Sequence, residues 1–253
     1  MILHYKELGQ GTPLVILHGL FGYSDNWLTH AKKLAEYYRV ILVDQRNHGH
    51  SPWEENFSYV HLAEDLEELR IHLDIDKFLL LGHSMGGKTA MTYAQIFEHR
   101  LLKMIVVDIG IKQYPMHHNE ILKGIHAIDL ETIHSRSEAE NAMSPFIDSY
   151  GVRQFLLKNL YWKEKGKLAW RMNVHVLERE MDEILAPLPH KEVWTPTLFI
   201  RGELSNYILE EDWEGIEEQF PDSQLITISA SGHWVHSEKP EEFIETVLGF
   251  CIH

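Results

Sequence analysis

Cysteine is almost absent from the chain. Cys251 is the single one in 253 residues, so no intrachain disulfide can form and a disulfide-stapled secreted scaffold is excluded. Positive charge is also scarce. Lys and Arg number 23 against 38 Asp and Glu, a formal net charge of −15. A surface of that sign repels phosphate backbones, so nucleic acid is not an expected partner. No apolar run reaches the roughly 18–20 residues of a membrane span. The opening Met1-Ile-Leu-His-Tyr-Lys-Glu-Leu lacks the basic start and apolar run of a signal peptide. A cytoplasmic chain is the expectation, and nothing in the motifs calls for a cofactor or a metal.

What the sequence does have is alternation. Pro13-Leu-Val-Ile-Leu17, Arg39-Val-Ile-Leu-Val43, Lys77-Phe-Leu-Leu-Leu81 and Lys103-Met-Ile-Val-Val107 are short apolar runs. Between them, Trp27 to Tyr38, Tyr59 to Leu73 and Met85 to Phe97 read as helices. Leu62, Leu66, Leu69 and Leu73, spaced by three and four, mark one buried helical face. Continuous apolar strands separated by helices predict a parallel sheet covered on both faces. From about Ile111 to His190 the rhythm changes to helical spacing with no clear strand, ending at Pro187 and Pro189. Strands at Thr197-Leu-Phe-Ile200 and Gln224-Leu-Ile-Thr-Ile228 and helices at Trp213 to Phe220 and Glu241 to Cys251 then resume the alternation. The expectation is an α/β core of residues 1–110 and 191–253 with a helical cap of residues 111–190.

Three loops carry chemistry. Gly82-His83-Ser84-Met85-Gly86-Gly87 follows a strand and opens a helix, the context a nucleophile elbow requires. It lacks the Gly-x-Gly-x-x-Gly and Gly-Lys-Ser/Thr spacings of phosphate loops. His18-Gly19-Leu20-Phe21-Gly22 follows the first parallel strand, where a backbone amide, taken as that of Leu20, would join the amide of Met85 in holding an oxyanion. Ser231-Gly232-His233-Trp234 lies between the last strand and the last helix, which selects His233 as the base from among 18 histidines. His236 is a weaker candidate, and His18 and His83 read as structural hydrogen-bonders. Cys251, between Phe250 and Ile252, reads as part of a packed terminal helix.

These loops, with Asp44-Gln-Arg46-Asn-His-Gly49-His-Ser51 and Gly-His-Trp-Val-His, resemble those of the α/β-hydrolases over essentially the whole chain. The narrower combination is similar to YbfF-like bacterial esterases and abhydrolase-domain-11 proteins. The resemblance implies an α/β-hydrolase fold and cofactor-free hydrolysis of small acyl esters or thioesters by a serine hydrolase. Serine at the elbow, where epoxide hydrolases and dehalogenases of this fold carry aspartate, disfavours those reactions.

The acid departs from the commonest pattern. Where many members carry Gly-x-x-Asp, this chain reads Gly202-Glu203-Leu204-Ser205, and a serine cannot supply the charge that stabilises an imidazolium. Asp108, directly after the strand ending at Val107, is the expected acid. Ser205 supports it and Glu203 is the alternative. YbfF-like esterases resemble this chain in both the Val-Asp-Ile segment and the serine. Carbon–carbon bond hydrolysis, perhydrolysis, and a non-catalytic receptor on the same fold stay open at this point. Of the aromatic and apolar residues between Tyr114 and Met172, a few are expected to roof an acyl pocket.

Overall fold

The computed structural model describes residues 1–116 and 118–252. Its centre is a seven-stranded sheet in the order β1-β3-β2-β4-β5-β8-β9. The strands are β1 (Tyr5–Leu8), β2 (Pro13–Leu17), β3 (Arg39–Val43), β4 (Phe78–His83), β5 (Leu101–Val107), β8 (Thr197–Gly202) and β9 (Ser223–Ile228). All neighbours run parallel except β1, which pairs antiparallel with β3 at one edge.

The apolar runs are continuous because both sheet faces are buried. On β2, Leu14 and Ile16 join one core cluster while Val15 and Leu17 join the other. On β3 the division is Val40 and Leu42 against Ile41 and Val43, and on β4 Leu79 and Leu81 against Leu80 and Phe78. One face is covered by α1 (Leu28–Leu34) and α11 (Pro240–Ile252), through Ala31, Leu34, Phe243 and Val247. The other is covered by α2 (Tyr59–His72) and α3 (Met85–Phe97), through Leu62, Leu66, Leu69, Met91 and Ala94. Burying each of the leucine, valine, methionine and phenylalanine side chains contributes about 1.5–3 kcal/mol. Helix α2 starts where the Ser58 hydroxyl accepts the His61 amide at 3.2 Å, satisfying one of its otherwise free N–H groups. Cys251 lies in α11, and burial pushes its thiol up to about 11, away from nucleophilic use at neutral pH.

Between β5 and β8 lie α4 (Asn119–His126), α5 (Arg136–Met143), α6 (Tyr150–Leu157), α7 (Val174–Arg179) and α8 (Met181–Leu185), together with two strands, β6 (Leu160–Glu164) and β7 (Lys167–Trp170). Leu122, Met143, Leu156, Met172 and Leu177 extend the α2–α3 core cluster into this segment. The expectation of no strand here is corrected by β6 and β7. They form an antiparallel hairpin whose turn passes through Gly166 at φ +82°, a value that favours glycine. Only Leu160 and Leu168 of the hairpin are buried, so its composition is that of a charged loop. Strand β1 was also missed: Tyr-Lys-Glu-Leu is a half-exposed edge without an apolar run. Helices α9 (Trp213–Gln219) and α10 (Val235–Glu238) complete the chain. No helix among the described residues is long and apolar enough to cross a membrane.

Candidate active site

The loops following β2, β4, β5, β8 and β9 gather at the carboxyl edge of the sheet, where open α/β sheets place their ligands. Ser84 sits between β4 and α3 at φ 53° and ψ −120°, a strained conformation of the kind found at functional sites. The turn is closed by Ser84 N–H donating to the Val107 carbonyl at 3.0 Å and Gly87 N–H donating to Ser84 O at 2.8 Å. Its tightness explains the glycines. A Cβ on Gly82 would lie 2.1 Å from the Gly86 carbonyl oxygen, and one on Gly86 would lie 2.5 Å from that of Leu17.

His83 pairs with Val107 in the β4–β5 register, so Ser84 and Asp108 are equivalent positions one residue beyond adjacent strands. Asp108 is fully buried and also has positive φ, 49°. Its Oδ1 accepts the Gly202 amide at 3.0 Å. Its Oδ2 accepts the Ser205 hydroxyl and lies 2.8 Å from His233 Nδ1. His233 Nε2 lies 3.1 Å from Ser84 Oγ. The structure therefore brings Ser84, His233, Asp108 and Ser205 into one continuous hydrogen-bonded chain. Glu203, the alternative acid, is exposed and accepts the Ala230 amide at 2.8 Å instead.

Burial favours the neutral form of His18, His83 and His236, and each is held by its neighbours. His83 donates from Nε2 to the His233 carbonyl at 2.9 Å. Burial is the largest cause lowering its pKa to about 3. His236 stacks on Trp27 at 4.2 Å and is also held neutral, mainly by burial. His18 donates from Nδ1 to the Gly19 carbonyl at 2.9 Å and accepts the Gln45 amide at 3.0 Å on Nε2.

The loop after β2 is shaped by its own bonds. Gly22 N–H takes the Gly19 carbonyl at 2.9 Å, and Phe21 N–H takes His48 Nε2 at 3.2 Å. Among the described residues no acceptor takes the amides of Leu20 and Met85, so both remain available to a ligand oxygen. His48 escaped the sequence reading although it stands in the quoted Arg-Asn-His-Gly run. Tyr207 escaped it entirely. Its ring stacks on His233 with centroids 3.8 Å apart and planes 14° from parallel. The Tyr114 hydroxyl fixes that loop, donating to the Tyr207 carbonyl at 2.8 Å and accepting the Gly110 amide at 2.7 Å.

Ser84 and His233 open onto a cavity of about 280 Å³ walled by Phe21, Ile121, Val152, Phe155, Leu156 and Trp234. A much smaller chamber of about 20 Å³ shares Ser84, Leu20 and Tyr207, and is otherwise enclosed by residues such as Met85, Ile109, Tyr114 and Ile184. From the segment between Tyr114 and Met172, Ile121, Val152, Phe155 and Leu156 line the larger cavity.

Known proteins share this arrangement of chain. Residues 12–133 match the family model described as alpha/beta hydrolase fold. Esterase YbfF of Escherichia coli is 35% identical over 93% of this chain and 91% of its own length. The sn-1-specific diacylglycerol lipase ABHD11 of Mus musculus is 36% identical over 94% of this chain and 80% of its own. Among solved structures, a marine microorganism esterase superposes with a TM-score of 0.96 at 39% identity, covering 98% of this chain and 99% of that one. With these likenesses spanning the sheet, the loops at its carboxyl edge and the segment above them, the chain belongs to the α/β-hydrolase family, as an esterase/lipase-type hydrolase.

Proposed function

We propose that the protein hydrolyses carboxylic esters, and thioesters of similar size, with short to medium acyl chains through a covalent acyl-enzyme. The observation that carries this reading is the Asp108–His233–Ser84 relay, with separations of 2.8 and 3.1 Å. Ser84 Oγ attacks the carbonyl carbon as His233 Nε2 takes its proton. Asp108 holds the Nδ1–H tautomer and stabilises the imidazolium. The Leu20 and Met85 amides take the oxyanion, each such donor being worth roughly 10²–10³ in rate. Collapse expels the alcohol or thiol, which is protonated by His233. Water then repeats the sequence on the acyl-enzyme and releases the acid.

Tyr207 keeps the imidazole in plane and offers its π face to the charge that develops there. Residues 111–190 act as the cap, with Phe155 and Leu156 supporting an apolar subsite for the substrate chain. The test is turnover of a p-nitrophenyl ester series by the purified chain and by Ser84→Ala, with fluorophosphonate labelling of both. Loss of turnover and of label in Ser84→Ala is expected. Wild-type-like turnover in that variant ends the reading.

A further inference from the structure

Away from the Ser84 cavity, two histidines, one near the N-terminus and one six residues beyond the acid itself, converge on the carboxylate of Asp44. Asp44, which follows β3, is fully buried. Its Oδ2 lies 3.0 Å from His4 Nδ1 and 3.3 Å from His50 Nδ1. The two imidazole rings are 4.7 Å apart and tilted by 39°. The carboxylate is fixed from behind, Oδ1 accepting the Ser24 amide at 2.7 Å and Oδ2 the His50 amide at 2.8 Å. The imidazoles are 35% and 39% exposed, so an ion reaches them from solvent without opening the fold. None of the three residues lines the catalytic cavity.

Two imidazole nitrogens and one carboxylate oxygen are a transition-metal donor set, since imidazole selects zinc, nickel or copper over magnesium or calcium. For bonds of about 2.0–2.1 Å, tetrahedral ligand atoms stand about 3.3 Å apart, close to the separations at Asp44. We propose that His4, Asp44 and His50 form a binding site for a divalent transition-metal ion of the zinc class, with solvent completing the tetrahedron.

A second observation ties the site to the segment between β5 and β8. Arg171 Nη1 lies 2.7 Å from His50 Nε2. A guanidinium only donates, so His50 accepts on Nε2 and carries its proton on Nδ1, facing Asp44. An ion bound at Nδ1 displaces that proton to Nε2, whose lone pair had been accepting from Arg171. The ring proton then sits on Nε2 and confronts the Arg171 N–H, with no net proton gained or lost. Ion and Arg171 therefore compete for one imidazole. Arg171 directly follows β7 and lies over the Tyr161 ring, 4.4 Å from its centroid. Metal binding releases this clasp between the Asp44 turn and the segment above the sheet.

The experiment is calorimetric titration of the whole chain with Zn²⁺ in a non-chelating buffer, with an X-ray absorption spectrum of the one-to-one complex. One saturable site per chain is expected, with two imidazoles in the spectrum. Affinity should fall at least tenfold in His4→Ala and in His50→Ala. It should rise about three- to tenfold in Arg171→Ala, where the competing hydrogen bond is gone. Two results each overturn the site: no saturable binding, or binding unchanged by both histidine variants, which places the ion on others of the 18 histidines; affinity unchanged in Arg171→Ala overturns the competition with Arg171. None of these readouts uses catalysis, so the outcome is independent of the proposed hydrolysis.

Discussion

Asp108 is the residue at which small changes of chemistry should matter most. Its carboxylate receives three hydrogen-bond donors: the Gly202 amide on one oxygen, and the Ser205 hydroxyl and His233 Nδ1 on the other. Asparagine has the same shape, but its NH₂ must face at least one of those donors. Either Gly202 N–H loses its acceptor or His233 is pushed to the wrong tautomer, and the charge opposite the imidazolium is lost in both cases. The corresponding loss in the well-studied serine-protease triad is about 10⁴ in kcat. Asp108→Asn is therefore expected to lose a similar factor. Ser205→Ala removes one hydroxyl donor, worth about 0.5–1.5 kcal/mol, and should cost about tenfold or less. Glu203→Gln keeps an acceptor for the Ala230 amide and should change kcat less than twofold. Steady-state kinetics on one p-nitrophenyl ester checks all three. An Asp108→Asn enzyme that retains most of its kcat removes Asp108 from the relay.

At this scale Ser84 and His233 were legible as candidates because loop position alone singles them out. The candidate acids were harder to separate, since Asp108 and Glu203 both follow strands and only the backbone directions, including φ 49° at Asp108, bring one of them within hydrogen-bond reach of His233. His48 and Tyr207 left no local signal. One works through an amide 27 residues away and the other through a stacked ring, and neither relation has a spacing rule.

Among elements, the strand-turn-helix around Ser84 is the most constrained. Gly86 passes against the backbone of the neighbouring strand, and its missing Cβ would meet the Leu17 and His18 carbonyl oxygens at 2.5 and 2.6 Å. Neither can move without disturbing the loop that presents the Leu20 amide. At Gly87 the first atom met is a methyl of Ile109, at 2.5 Å, a side chain with more freedom to shift. Gly86→Ala is expected to destabilise by about 3 kcal/mol or more, at or beyond the top of the usual range for overpacking, and Gly87→Ala by about 1–2 kcal/mol, within it. Urea midpoints give the comparison, and equal losses would show that the crossing is not the source of the constraint. Elements buried on both faces, such as β4 and α3, were legible as apolar runs and periodicities. Strand β1 and the β6–β7 hairpin were not. Their partners are supplied by backbone pairing, while their side chains face water or the rim of the core.

The whole molecule carries several buried imidazoles, which burial biases toward the neutral form. His30, His83 and His236 cluster around Trp27 and Phe243, and burial is the largest cause lowering the pKa of each, to about 3 for His83. In the unfolded chain a histidine binds its proton near pH 6.5. Below that pH the unfolded state takes up protons that the folded state refuses, so stability falls as pH falls. The slope is about 1.4 kcal/mol per pH unit for each such histidine, until the folded-state pKa is reached. His83 alone should remove about 2–3 kcal/mol between pH 6 and pH 4. The urea midpoint is expected to drop steeply across this window, and less steeply in His83→Gln. A midpoint flat from pH 7 to pH 5 would mean that these rings charge freely in the folded protein.

The pairing of β5 with β8 has a consequence for how the chain is made. Strand β5 is apolar along most of its length and lies inside the sheet, yet its neighbour on one side arrives only after residues 108–196 have been synthesised. A nascent chain that has folded through α3 and β5 presents an unpaired, hydrophobic parallel edge, the surface on which other chains add strands. Throughout that interval Asp108 lacks His233, whose loop lies beyond β9. Translation pauses or truncations between β5 and β8 would thus yield aggregation-prone, catalytically incomplete species, and on the proposed mechanism ester turnover reports that the last strands have docked.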